Sequence, residues 1–124
     1  MTLEELRDLK YEKVLYSMEE YLNYLENGDE DNDDEIQYSQ DDIEECGEIL
    51  DLYIDSLTNS NGEEEIMQAV EEVIGSLNEL NYKTDQGLIE TQQREDLAEY
   101  IQTAAVLAGL PPTEEDITEE WRDW

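Results

Sequence analysis

Thirty-seven of the 124 residues are Asp or Glu, and no histidine accompanies them. Carboxylates can trade protons, hold hard cations, or simply present charge to a partner. Proton chemistry needs a pair set apart by its surroundings. Here acidic pairs recur along the whole chain, so none is distinguished by spacing. Cation binding has one testable motif, GDEDNDDEIQ at 28–37. Asp29, Asp31 and Asp33 stand at the first, third and fifth positions of a calcium loop. The sixth position requires Gly and holds Asp34, and the twelfth requires Glu and holds Gln40. The motif fails where the loop must turn and where it must close. The run therefore predicts diffuse screening by divalent cations and no dedicated metal site. Cys46, the one cysteine, sits between Ile43 and Leu50 on an apolar stripe with no imidazole to activate it. It reads as a core residue, and the chain reads as a non-enzyme without cofactor.

The remaining chemistry is charge presentation. The net charge is −31, and the six basic residues lie before residue 14 or after residue 82. Between Lys13 and Lys83 the chain holds 22 carboxylates and no cation. Within it, Asp29, Asp31, Asp33, Asp34 and Glu35 crowd one run, which predicts a mobile acidic linker at 28–37. Asp41, Asp42, Glu44, Glu45, Glu48, Asp51 and Asp55 follow at spacings that share one side of a helix. These residues are the expected partner-binding face. Such a face repels nucleic acid and anionic lipid and attracts a basic protein, such as a toxin, a nuclease or a defence component. The weaker alternative is that the acidity serves solubility alone. Trp121 and Trp124 are a second candidate contact, because indoles anchor interfaces; packing the tail onto its own domain is their more ordinary role.

The elements that must carry this surface are helical. Leu3, Leu6, Tyr11, Val14, Leu15, Met18, Leu22 and Leu25 predict one helix over 3–26, with Thr2 as its cap. Ile43, Cys46, Leu50, Ile54 and Leu57 predict a second over 40–57, capped by Ser39 with Asp42. TNSNG at 58–62 is turn chemistry. Ile66, Val70, Val73, Ile74 and Leu77 predict a third helix over 63–80, with Glu63, Glu64 and Glu65 favoured at its positive end. Leu97, Ile101, Ala104, Ala105 and Ala108 predict a fourth over 92–108, capped by Thr91 and ended by Gly109 before Pro111-Pro112. Thr113 and Asp116 predict a short terminal helix bearing Ile117, Trp121 and Trp124. No alternating strand pattern occurs. The expected architecture is all-α, one domain over 1–124, a bundle of about four helices plus a short C-terminal helix. The lone cysteine and the charged N-terminus predict a cytoplasmic protein with no secretory leader and no membrane span.

The segment LIETQQREDLAEYIQTAAVLAGLPPTEEDITEEWRDW, Leu88 to Trp124, resembles the closing segment of small acidic bacterial proteins of the toxin-immunity kind. In size and charge the whole chain resembles acidic inhibitors of bacteria and phages, DNA mimics and anti-defence proteins among them. Both resemblances imply stoichiometric inhibition through a complex, without chemistry. The expected function is an immunity-type inhibitor that occludes a basic partner. The alternatives are a phage DNA mimic acting on host defence and a structural or adaptor subunit of a larger assembly.

Overall fold

The apolar stripes close on one another as helices. The computed structural model of the chain describes residues 1–27 and 38–124. In order these form α1 (Leu3–Asp8), a π-helical turn (Tyr11–Leu15), α2 (Tyr16–Asn27), α3 (Gln40–Thr58), α4 (Glu63–Lys83) and α5 (Thr91–Ala108). No strand occurs among the described residues. The expected all-α bundle is the observed architecture. The run 28–37 and the side chain of Leu25 lie outside the described residues.

The expected first helix is interrupted, for a reason its own sequence contains. Leu6 and Leu15 are nine residues apart, two and a half α-helical turns. An unbroken helix would point them to opposite sides. The π-helical turn lies between them, and in it the Tyr16 N–H reaches the Tyr11 carbonyl. The wider turn delays the rotation, and Leu6, Val14, Leu15, Met18 and Leu22 are all buried. Tyr11, expected on the apolar side, is rotated out and exposed.

α3 is the hub and packs against every other helical element. Gly47 lies buried in its middle, where glycine is unfavourable by roughly 1 kcal/mol relative to alanine. A Cβ there would sit 3.1 Å from Leu15 Cδ1, so the bare backbone lets the π-helical turn approach. Ser39 and Asp42 form the expected capping box, the Ser39 N–H donating to the Asp42 carboxylate at 2.9 Å. α5 starts one residue early: Glu90 caps it with Gln93, and Thr91 is its first residue. At the other end Gly109 takes φ of +126°, and the Leu110 N–H reaches back to the Ala105 carbonyl.

Buried Asn81 organises the connection from α4 to α5. Its side-chain oxygen accepts from the Ile89 N–H at 3.1 Å, and its carbonyl accepts from the Gln86 N–H at 2.7 Å. Between them Asp85 and Gln86 both take left-handed backbone, with φ of 55° and 60°. The result folds Leu88 and Ile89 into the core.

No phenylalanine exists in this chain, and tyrosine does its work with an added polar bond. The buried phenols of Tyr38, Tyr53 and Tyr100 donate to the carbonyls of Met18, Ile101 and Leu6, at 2.9, 2.7 and 3.4 Å. Each bond joins the ring to a different element. Burial holds all three phenols well above the ordinary tyrosine range. A group whose folded pKa is raised contributes stability that is present below its unfolded value and lost as pH climbs towards the folded one. Stability should therefore fall above about pH 10, where unfolded tyrosine ionises. In an absorbance titration three of the eight phenols should resist ionisation until helical circular dichroism collapses. Full ionisation of all eight in a still-helical chain would contradict this packing.

Candidate functional site

α3 carries the acidic face because its apolar stripe, Ile43, Cys46, Leu50, Ile54 and Leu57, is buried on the other side. The structure divides the seven carboxylates of this helix into two sets. Four are braced by cations from other elements. Lys83 of α4 bridges Asp42 at 3.4 Å and Glu45 at 3.0 Å. Lys10 donates to both oxygens of Asp51, at 2.8 and 3.1 Å, and Arg7 of α1 pairs with Asp55. To reach Asp51 the Lys10 stem passes 3.6 Å from where a Cβ on Gly47 would stand. The hydrogen bond to Glu45, then that to Asp42, raises the pKa of Lys83; the bond to Asp55 does the same for Arg7. These pairs stand partly in water, where screening and lost rotamer freedom keep them weak.

The other set is Asp41, Glu44 and Glu48. All three are exposed along one ridge, and no cation pairs with them among the described residues. The uniform face expected from sequence is thus a free ridge flanked by braced carboxylates. The braces were hidden because their partners lie 38 to 48 residues away in the chain. Asp29, Asp31, Asp33, Asp34 and Glu35 lie outside the described residues.

Beside this ridge runs a groove between α3 and α4 of about 520 Å³. Ile49, Tyr53, Ala69 and Val73 line it, with Asp55 and Glu72 among its polar residues. Leu52 stands at its edge, 66% exposed. Leu52 falls outside the expected contact residues; its signal in the sequence is an apolar residue one place past Asp51 and off the buried stripe. Cys46 is sealed beneath the face, and burial, then the nearby Glu45 charge, pushes its thiol up to about 12. Among the described residues no group of three or more His, Cys, Asp and Glu could hold a metal ion. None of the described helices is long and apolar enough to cross a membrane.

Trp121 and Trp124 lie on the other candidate region. Both are half-buried and, with Ile117, pack against the core. The expected terminal helix is a single turn at 117–121, held by Asp116, which accepts from the Thr118 N–H at 2.9 Å and pairs with Arg122 at 2.8 Å. The Arg122 guanidinium lies 5.8 Å from the centre of the Trp124 ring. Asn78 clamps the tail by its backbone: its amide donates to the Trp121 carbonyl at 3.0 Å and accepts from the Asp123 N–H at 2.9 Å.

Two outcomes follow from this geometry. Asn78→Ala removes both tail bonds, each contributing on the order of 1 kcal/mol. The emission of the two tryptophans should shift to the red and quench more readily, with helix content kept. Unchanged emission would show that the clamp does not hold the tail. Separately, the net charge of −31 sets repulsion against a few screened pairs. Raising salt from about 0.01 M to about 0.15 M shortens the screening length from about 30 Å to about 8 Å. The melting midpoint should rise; a steady fall would mean that attraction between the pairs dominates.

Comparison with known proteins finds no family model, no curated protein and no solved structure that matches this chain.

Proposed function

We propose that this protein is a non-catalytic inhibitor of the immunity kind, which binds a basic partner such as a toxin nuclease or nucleic-acid-binding protein and occludes its basic groove. The observation that carries this reading is the free ridge. Asp41, Glu44 and Glu48 are exposed and meet no cation among the described residues, while the carboxylates beside them are braced. From Asp41 to Glu48 the ridge spans about 10 Å of helix. Its three charges are somewhat sparser than one DNA strand, which carries one about every 3.4 Å. The neighbouring Asp42 and Glu45 share one cation, Lys83, and so add one further negative charge to the face. A field of this kind steers a basic partner into contact and raises the association rate. The absence of histidine and the burial of Cys46 support binding without chemistry.

The test compares three forms of the protein as bait in its native host: the wild type, the ridge variant D41N/E44Q/E48Q, and the tail variant E114Q/E115Q/E119Q/E120Q. The wild type should retain a basic protein and inhibit that protein's action on nucleic acid. The ridge variant should lose about tenfold or more in affinity, mainly through slower association, with circular dichroism unchanged. The tail variant should bind as the wild type does. Loss in the tail variant with retention in the ridge variant would overturn the proposal and move the contact to the tryptophan-bearing end.

A further inference from the structure

The ridge accounts for attraction, and the groove beside it offers something a pure charge array lacks. We infer that the groove between α3 and α4 receives a basic amphipathic helix of the partner, with Leu52 as the apolar contact at its edge. This rests on the proposed binding of a basic partner and specifies what part of that partner enters.

Four observations lead there. The groove has an apolar lining in which Ala69 and Val73 are buried and Ile49 is half-buried. Leu52 projects from the acidic side of α3 at 66% exposure, equalled among the large hydrophobic residues described only by Tyr24. Two packed helical walls leave a trough whose natural filling is a third helix, read through anchors one or two turns apart. From Ile49 to Asn59 the α3 wall is about 15 Å long, enough for about ten helical residues.

Charge selects the occupant. Glu48 stands free one turn before Leu52, and exposed Glu72 lies on the α4 wall; Asp55, also on the α3 wall, is already taken by Arg7. Lysine or arginine flanking an apolar stripe would meet a carboxylate on either side. A second copy of this chain would bring the same walls and a further −31 charges against them, so self-association is opposed. An acidic or neutral helix lacks the complement to both walls.

The probe is a capped, fluorescein-labelled peptide of about twelve residues, with Leu at one helical stripe and Lys elsewhere. Its control keeps the lysines and replaces each Leu with Gln. Both are titrated by fluorescence anisotropy against the wild type, L52Q and the ridge variant D41N/E44Q/E48Q. Leu52 is exposed, so L52Q should keep the fold. The Leu-bearing peptide should bind the wild type about tenfold or more tightly than the control, and L52Q should erase that difference without changing control binding. Equal binding of the two peptides, or indifference to L52Q, would overturn the groove inference and leave the acidic-ridge proposal standing. Indifference of both peptides to the ridge variant would instead count against the ridge, whatever L52Q does. A wild-type dimer in light scattering that L52Q dissolves would overturn the inference by making a second copy the occupant.

Discussion

Mutual repulsion among carboxylates is the constraint that shapes this molecule. A net charge of −31 on 124 residues works against any compact state, and the chain has six cations to set against it. Three of them, Arg7, Lys10 and Lys83, go to one helix, α3, and brace four of its carboxylates from two sides. Others of the acids sit in the first turns of helices, as Glu63, Glu64 and Glu65 do on α4, where the helix dipole favours them. Asp116 pairs with Arg122, and most of the other described carboxylates are exposed. What remains to hold the bundle is an apolar core in which three buried phenols, those of Tyr53 and Tyr100 on helices and of Tyr38 just before α3, bond to backbone carbonyls of other helices.

The packing of α3 and its display of charge are one arrangement. Gly47 admits Leu15 on the inner side and lets the Lys10 stem cross to Asp51 on the outer side. The π-helical turn that brings Leu15 inward lies directly after Lys10. A change that straightened this segment would disturb the core and unbrace Asp51 together. The ridge of Asp41, Glu44 and Glu48 therefore rides on the element that contacts all the others, which gives it a fixed geometry. A fixed ridge loses little conformational freedom on binding, an advantage over a mobile acidic segment.

On the proposed reading, the work of an inhibitor would be divided between the ridge and the groove next to it. Long-range charge would bring a basic partner in, and it weakens as salt rises. The groove would act only at contact, where burial is insensitive to screening. Fast capture and retention would then come from different residues, Glu44 and Glu48 on the ridge and Leu52 at the groove edge. The tail packs on the domain: Asn78 bonds to its backbone, and Trp121 and Trp124 lie half-buried against the core.

Much of this was legible before any coordinates. The helical stripes of α3, α4 and α5, the Ser39–Asp42 capping box, the Gly109 stop and the burial of Cys46 all follow from residue type at short range, because the 3.6-residue period and capping chemistry are local. The acidity of the α3 face was legible for the same reason. Local patterns could not say how the first helix would reconcile Leu6 with Leu15, since that depends on the surface it packs against, and the π-helical turn answers to α3. Nor could they say which carboxylates are free. Asp51 and Glu48 are equivalent in sequence; one is met by Lys10 from 41 residues away and the other by nothing among the described residues. The sequence by itself determined the helices and the sign of the surface, because periodicity and net charge need no third dimension. Only the tertiary structure decided the free ridge, the braced flanks and the groove edged by Leu52, because each is made by side chains that folding alone brings together.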